Sequence, residues 1–200
     1  MKAYIFDQDR TLYSETNPIT QTLREKGKRL IMKAVNLDAT QIDDFYADLS
    51  RKYPNPFDGI ISCGLSIEYY HSNVFDSTDP ALYLSRDEVL REILCSLRQP
   101  KYVVTFASKY YSHCLQDTIG VLDLIDYTIF VSDLFPETSK AAAYRLILEK
   151  NNLRPEDVCV VGDNFDNDIV PALQLGCRVV LVGKEDHNVT KIDNIYRFEG

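Results

Sequence analysis

The chain has 200 residues, 45% of them hydrophobic, and its 30 acidic against 22 basic side chains give a net charge of −8. That is enough apolar material for one core and a small appended unit, and the charge excludes a polyanion such as DNA or an anionic membrane surface as partner, since no basic stripe stands out against it. No apolar run approaches the roughly 20 residues that span a bilayer.

Met1-Lys2 leads straight into Ala3-Tyr4-Ile5-Phe6, a buried-strand pattern without signal-peptide character, so a soluble, untargeted, cytoplasmic chain is expected. From about Ser14 to Gln99 the apolar stripes have helical spacing: Ile19, Leu23, Leu30 and Ala34, then Ile42, Phe45, Tyr46 and Leu49, then Val89, Leu90, Ile93, Leu94 and Leu97. Ser85-Arg86-Asp87-Glu88 reads as a capping box that starts the third stripe. From Pro100 onward strand and helix alternate, the pattern of βαβ units. Strands are expected over Tyr102–Val104, Tyr127–Val131, Val158–Val161 and Arg178–Val182, with an edge strand over Ile195–Phe198. The intervening helices run from about Lys109 to Ile119, closed by Gly120 as a left-handed cap; through Ala141, Tyr144, Ile147 and Leu148; and through Ile169, Ala172 and Leu173, with Pro171 in the first turn and Gly176 at the end. The expected architecture is α/β: a Rossmann-like parallel sheet flanked by helices, from residues 1–13 and 100–200, with an all-helical insertion over 14–99. The five cysteines lack any Cys-x-x-Cys pair and read as small core hydrophobes in a reducing cytoplasm.

The first strand ends in Asp7-Gln8-Asp9-Arg10-Thr11. Residues i and i+2 of an extended chain point to one side, so the two carboxylates can converge, and like charges there need a cation or a shared proton. Such a pair suits a nucleophile beside a general acid/base; the plain alternative is a turn in which both aspartates cap backbone amides. The run Val158–Val161 ends in Gly162-Asp163-Asn164-Phe165-Asp166-Asn167-Asp168. The carboxyl ends of neighbouring parallel strands face one crevice, so both acidic ends can build one site there, and its all-oxygen donors favour Mg²⁺. A calcium loop does not fit, because Phe165 falls where a ligand is needed, Asp168 where a glycine is needed and Gln174 where a bidentate glutamate is needed.

Between these clusters Thr105 ends an apolar run and Lys140 follows the next one. Taken in order, Asp7-x-Asp9-x-Thr11, Thr105, Lys140 and Gly162-Asp163 with Asp168 resemble the four motifs of the haloacid dehalogenase-like hydrolases, across the whole chain. The resemblance implies that Asp7 is the nucleophile, Asp9 the acid/base, Thr105 a phosphate ligand and Lys140 the charge neutraliser. It places Mg²⁺ on Asp7, the Asp9 backbone carbonyl, Asp163 and Asp168. It also implies that residues 14–99 are a mobile cap, and Leu12-Tyr13 followed by that cap looks most like the pyrimidine 5′-nucleotidase branch. The expected activity is Mg²⁺-dependent hydrolysis of a small phosphate monoester, a nucleotide or sugar phosphate, through an aspartyl-phosphate. A phosphomutase would use the same core, and a catalytically idle phosphate-ligand binder is the reading from another class. The expected partner is a small phosphorylated metabolite, with neither a nucleic acid polymer nor a membrane.

Some residues compete for these roles. Ser108 rivals Thr105, Asn167 rivals Asp168 for the outer metal sphere, and Asp166 reads as a helix N-cap. Lys109, His113 and His187 read as solvated, while His71, in an aromatic stretch of the insertion, lies where it could touch a substrate. The chain also departs from the family pattern. Arg10 stands where Gly or Asn is commoner, Phe106 where Asn or Gly is commoner, and Lys140 lacks the Pro that often follows it. These changes leave every catalytic group in place and bear on the substrate, since Arg10 and Phe106 would line the entrance.

Overall fold

A computed structural model describes residues 1–183 and 187–200. Its centre is a six-stranded sheet of β1 (Ala3–Phe6), β2 (Lys101–Thr105), β3 (Tyr127–Phe130), β4 (Val158–Gly162), β5 (Arg178–Val182) and β6 (Lys191–Ile192). The strands lie in the order β3-β2-β1-β4-β5-β6, and every pairing is parallel. β1, β2 and β4 are buried along their whole length, which explains why they read as continuous apolar runs. From β1 the chain builds the sheet outward first on one side and then on the other. The order therefore reverses between β1 and β4, and the crevice beyond their carboxyl ends is the expected ligand site.

Among the described residues, eight α-helices accompany the sheet: α1 (Pro18–Ala34), α2 (Ile42–Lys52), α3 (Pro56–Ser62), α4 (Ile67–Val74), α5 (Glu88–Ser96), α6 (Lys109–Thr118), α7 (Lys140–Lys150) and α8 (Val170–Leu175). Local chemistry sets their ends. Asn17, Asn55, Ser66, Asp87, Ser108 and Ser139 each accept a backbone N–H at an N-terminus. Gly120 and Gly176 take the left-handed conformation after α6 and α8, as their positions predicted.

The helical insertion is divided. α1 to α4 pack on one another, and Ile31, Ile42 and Cys63 centre a small cluster with Phe45, Tyr46 and Leu49. α5 behaves differently: Leu90, Leu94 and Leu97 are buried with Tyr4, Phe6 and Val103, so this helix lies against the sheet although it falls within the 14–99 stretch. Periodicity reports that a helix has an apolar face, not which surface covers it. The start of α5 also moves, because Asp87 rather than Ser85 is the cap, its Oδ1 accepting the Leu90 amide.

Two further elements differ from expectation. Residues Ile195–Arg197 form a short 3₁₀ turn in which Ile195 is buried, and the edge strand is Lys191–Ile192. Asn194 accepts the Tyr196 amide and caps that turn, which an apolar pattern alone does not disclose. Leu173 is 44% exposed, leaving Ile169 and Ala172 to carry the inner face there. The five cysteines are all free, and Cys159 and Cys177 are buried in or beside the sheet. No helix among the described residues is long and apolar enough to cross a membrane.

The placement of α5 is testable. Leu94→Ala, at a fully buried position, is expected to cost about 2–5 kcal/mol in urea denaturation. Val89→Ala, at an exposed position on the same helix, should stay within about 0.5 kcal/mol.

Candidate active site

β1 ends at Phe6, whose Cα is opposite Val103 on one side and Val161 on the other. The next residue, Asp7, donates its backbone N–H to the Val161 carbonyl at 2.8 Å, so its carboxylate enters the crevice between β1 and β4. Asp163 leaves the end of β4, and Asp168 returns to it from a single wide turn over Phe165–Ile169. Oxygens of Asp7, Asp163 and Asp168 lie within 4.8 Å of one another. Gly162 permits the approach: a Cβ built there would stand 2.4 Å from an Asp168 carboxylate oxygen.

Lys140 ties the cluster together. It opens α7, at a helix end that disfavours a cation, yet the residue is only 4% exposed and its ammonium donates to Asp7 Oδ1 and Asp168 Oδ1 at 2.5 Å each. Burial acts to lower its pKa, but the two carboxylates outweigh burial and hold it above the ordinary lysine value. The ring of Phe106 lies 5.4 Å from the same ammonium, and Phe57 of α3 meets that ring edge-on at 5.1 Å. Phe106 thus backs the lysine and receives α3.

Asp163 Oδ2 pairs with the Arg10 guanidinium at 3.1 Å, while its Oδ1 is buried with no hydrogen-bond partner. Burial and the Asp7 charge, only partly offset by Arg10, push the Asp163 carboxyl up to about 8. Burial likewise lifts Asp168 to about 6 against the pull of Lys140. Arg10 adopts a left-handed φ of 65°, the conformation that makes Gly or Asn commoner there. An orphaned carboxylate oxygen and two raised carboxyls in an all-oxygen cluster fit a hard divalent cation such as Mg²⁺.

Asp9 stands apart from that cluster. The strand ends before it, and its Oδ1 accepts hydrogen bonds from Tyr13 Oη at 2.8 Å and Tyr111 Oη at 3.1 Å. Burial, then the Asp7 charge, raises its pKa against these donors, so it holds a proton more readily than an ordinary aspartate. The two tyrosines were not identified from sequence. Their signal was a buried phenol, Tyr111 on the inner face of α6 and Tyr13 in the bend before α1, each needing a partner for its hydroxyl. Gln8 was also missed: it is fully buried, donating to Ser112 Oγ at 3.2 Å and to Asp9 Oδ2 at 3.4 Å and accepting from Gln116 Nε2 at 3.0 Å.

The competing assignments separate. Thr105 lines the cavity, and its Oγ1 accepts the Ala107 amide at 3.0 Å. Ser108 caps α6 and donates to Asp76 instead. Asp168 is fully buried in the cluster, whereas Asn167 bonds Asn164. The cap of the wide turn is Asn164, which accepts the Asn167 amide, while Asp166 is exposed. His71 is buried against the Phe106 carbonyl with Nε2 at 3.0 Å, and burial lowers its pKa, so it braces the insertion rather than facing the cavity. Lys109 and His113 are exposed as expected, and His187 stacks on Phe165 at 3.8 Å. Above these groups a cavity of about 680 Å³ opens between the strand ends and α1 to α4.

The raised carboxyls dictate a pH dependence for the metal-free protein. A carboxyl that ionises near 8 in the native chain but near about 4 unfolded leaves the native state holding more protons between those values. Its contribution to stability is therefore complete below about pH 4 and is lost as pH rises toward 8. Thermal denaturation in chelator should show this decline, and Asp163→Asn should flatten it; an unchanged slope in the variant would assign the decline to other groups.

Comparisons with known proteins agree with this geometry. A family model described as haloacid dehalogenase-like hydrolase matches residues 1–176. The fold is similar to that of a haloacid dehalogenase-type phosphatase from Thermococcus onnurineus, at 21% identity over 98% of this chain and 95% of that one, with a TM-score of 0.58. It is also similar to β-phosphoglucomutase from Clostridium difficile, at 13% identity, 100% and 93% coverage and a TM-score of 0.64. A predicted phosphoglycolate phosphatase from Haemophilus somnus matches at 16% identity, 98% and 95% coverage and a TM-score of 0.60. No curated protein matches the chain. With four ordered motifs converging at one switch point and a family model covering most of its length, the chain belongs to the haloacid dehalogenase-like hydrolases.

Proposed function

We propose that the protein is a Mg²⁺-dependent phosphatase acting on a small phosphate monoester. One observation carries the reading: two aspartates two residues apart occupy different electrostatic settings, Asp7 against the Lys140 ammonium and Asp9 under two tyrosine hydroxyls with a raised pKa. Such a pair divides naturally into a nucleophile and an acid.

Asp7, Asp163, Asp168 and the Asp9 backbone carbonyl would hold Mg²⁺, which when bound offsets repulsion between the phosphate and the attacking carboxylate. Lys140 and the Thr105 hydroxyl would neutralise and orient the phosphoryl oxygens. An Asp7 oxygen bonds to phosphorus as the ester P–O bond breaks, and Asp9 gives its proton to the departing alcohol. Asp9 then takes a proton from water, which attacks phosphorus, releases Asp7 and leaves inorganic phosphate. Helices α1 to α4 serve as the cap, closing the cavity during the first step and admitting water for the second. A cavity of about 680 Å³, once closed by the cap, suits a metabolite rather than a polymer, in keeping with the acidic net charge. A protein of this kind works in the cytoplasm; the pyrimidine 5′-nucleotide class is one candidate among nucleotide and sugar phosphates.

A screen of phosphorylated metabolites with Mg²⁺ tests the reading. Turnover is expected with one or a few small monoesters, lost with chelator and restored by Mg²⁺, and abolished in a folded Asp7→Asn variant. Turnover only where an ester can accept the phosphoryl group would instead identify a mutase, and binding without turnover an idle binder. Asp9→Asn should slow alkyl phosphates far more than nitrophenyl phosphate, whose leaving group scarcely needs protonation; equal losses would assign Asp9 a purely geometric role.

A further inference from the structure

We propose that Arg10 binds the phosphoryl group of the substrate, so that Asp163 is shared between a guanidinium on one oxygen and the metal on the other. This rests on the reading that a phosphate monoester reacts at Asp7.

The pair between Arg10 and Asp163 is half-made. The closest approach is a guanidinium nitrogen to Oδ2 at 3.1 Å, and Oδ1 of the same carboxylate is buried with no hydrogen-bond partner. The two-pronged fork that arginine and a carboxylate form at full strength is therefore not built. On the other side, Asp163 is the only ion-pair partner of Arg10 among the described residues, and Arg10 lines the cavity. A guanidinium carries five N–H donors, so most of them remain for a ligand at the cavity wall. Each partner thus keeps capacity for a third party: a cation on Oδ1 and an anion on the guanidinium.

The groups already assigned to the phosphate are short of donors. Lys140 gives two of its three N–H bonds to Asp7 and Asp168. Thr105 has one hydroxyl proton, and its oxygen already accepts the Ala107 amide. A phosphoryl group brings three strong acceptor oxygens, more than these two side chains serve. Arg10 stands in the right neighbourhood to serve them: burial disfavours its charge, but Asp163, Asp7, Asp9 and Asp168 together outweigh burial. The backbone points the same way. Its φ of 65° is one where Gly or Asn rests more easily, and an arginine held there at a ligand cavity implies a use for its side chain. Pairing with Asp163 does not supply that use, because it leaves the carboxylate half-satisfied.

Inorganic phosphate is the probe that separates this role from support of the metal site. Mg²⁺ alone, and then phosphate at saturating Mg²⁺, would be titrated calorimetrically into the parent, Arg10→Gly, Arg10→Asn, Arg10→Lys and Arg51→Gln. Gly and Asn suit the left-handed backbone, so those variants keep the fold. Both should bind phosphate about tenfold more weakly than the parent, equivalent to about 1.4 kcal/mol. Both should bind Mg²⁺ at least as tightly, since a positive charge has left its surroundings. Arg10→Lys should keep part of the phosphate affinity, as an ammonium lacks the fork. Arg51→Gln removes a positive charge that lines the same cavity from α2 and should stay within twofold of the parent. A loss below twofold in Arg10→Gly, an equal loss in Arg51→Gln, or no phosphate binding by the Mg²⁺-loaded parent overturns the proposal. An equal fall in Mg²⁺ affinity also overturns it, by making Arg10 only a holder of Asp163. Failure of the phosphatase reading would show instead as no turnover of any phosphate ester by the parent, with Arg10-dependent phosphate binding intact.

Discussion

Charge repulsion at the mouth of a dry sheet governs the layout of this protein. Oxygens of Asp7, Asp163 and Asp168 are held within 4.8 Å of one another beside fully buried strands, where burial weakens screening by water. The surrounding structure answers that repulsion. Lys140 is drawn to a helix start that would otherwise reject a cation, Arg10 accepts a left-handed backbone to reach Asp163, and position 162 carries no side chain so that Asp168 can return to the cluster. One carboxylate oxygen still lacks a partner. The site is thus assembled around charge that the protein alone leaves partly uncompensated.

Much of this was legible in the sequence because parallel sheets bury their strands on both faces, so an apolar run stopping at an aspartate marks a strand end at a crevice. Asp7, Thr105, Asp163 and Asp168 stand where that grammar puts them, whereas Lys140, which opens α7, was singled out by the family resemblance. What was illegible depends on contacts between distant segments. Periodicity found α5 but could not show that Leu90 and Leu94 face the sheet. It misread Ile195–Phe198 as a strand because an Asn194 cap and a 3₁₀ turn leave the same apolar signature. The i,i+2 rule brought Asp9 toward Asp7, yet the strand stops at Phe6 and two tyrosines, one of them 102 residues away, claim the Asp9 carboxylate.

Those tyrosines show how one short motif acquires two chemistries. Asp7 faces a cation, whereas Asp9 is surrounded by neutral donors and low-dielectric walls. The intervening Gln8 enters a buried amide and hydroxyl network with Ser112, Gln116 and Thr128, and its amide also reaches Asp9 Oδ2 at 3.4 Å. That network fixes the chain between the two aspartates to α6 and β3.

The attachment of α3 has a mechanical implication. Asn55, at the start of that helix, donates its side-chain amide to the Thr138 carbonyl at 2.7 Å, two residues before Lys140. Phe57 on the same helix leans on Phe106, which lies against the Lys140 ammonium. Any swing of α3 away from the sheet must therefore rupture the amide bond or drag the backbone that carries the lysine. The helical layer and the charge at the catalytic floor are coupled as a latch and its striker: displacing one releases or misaligns the other.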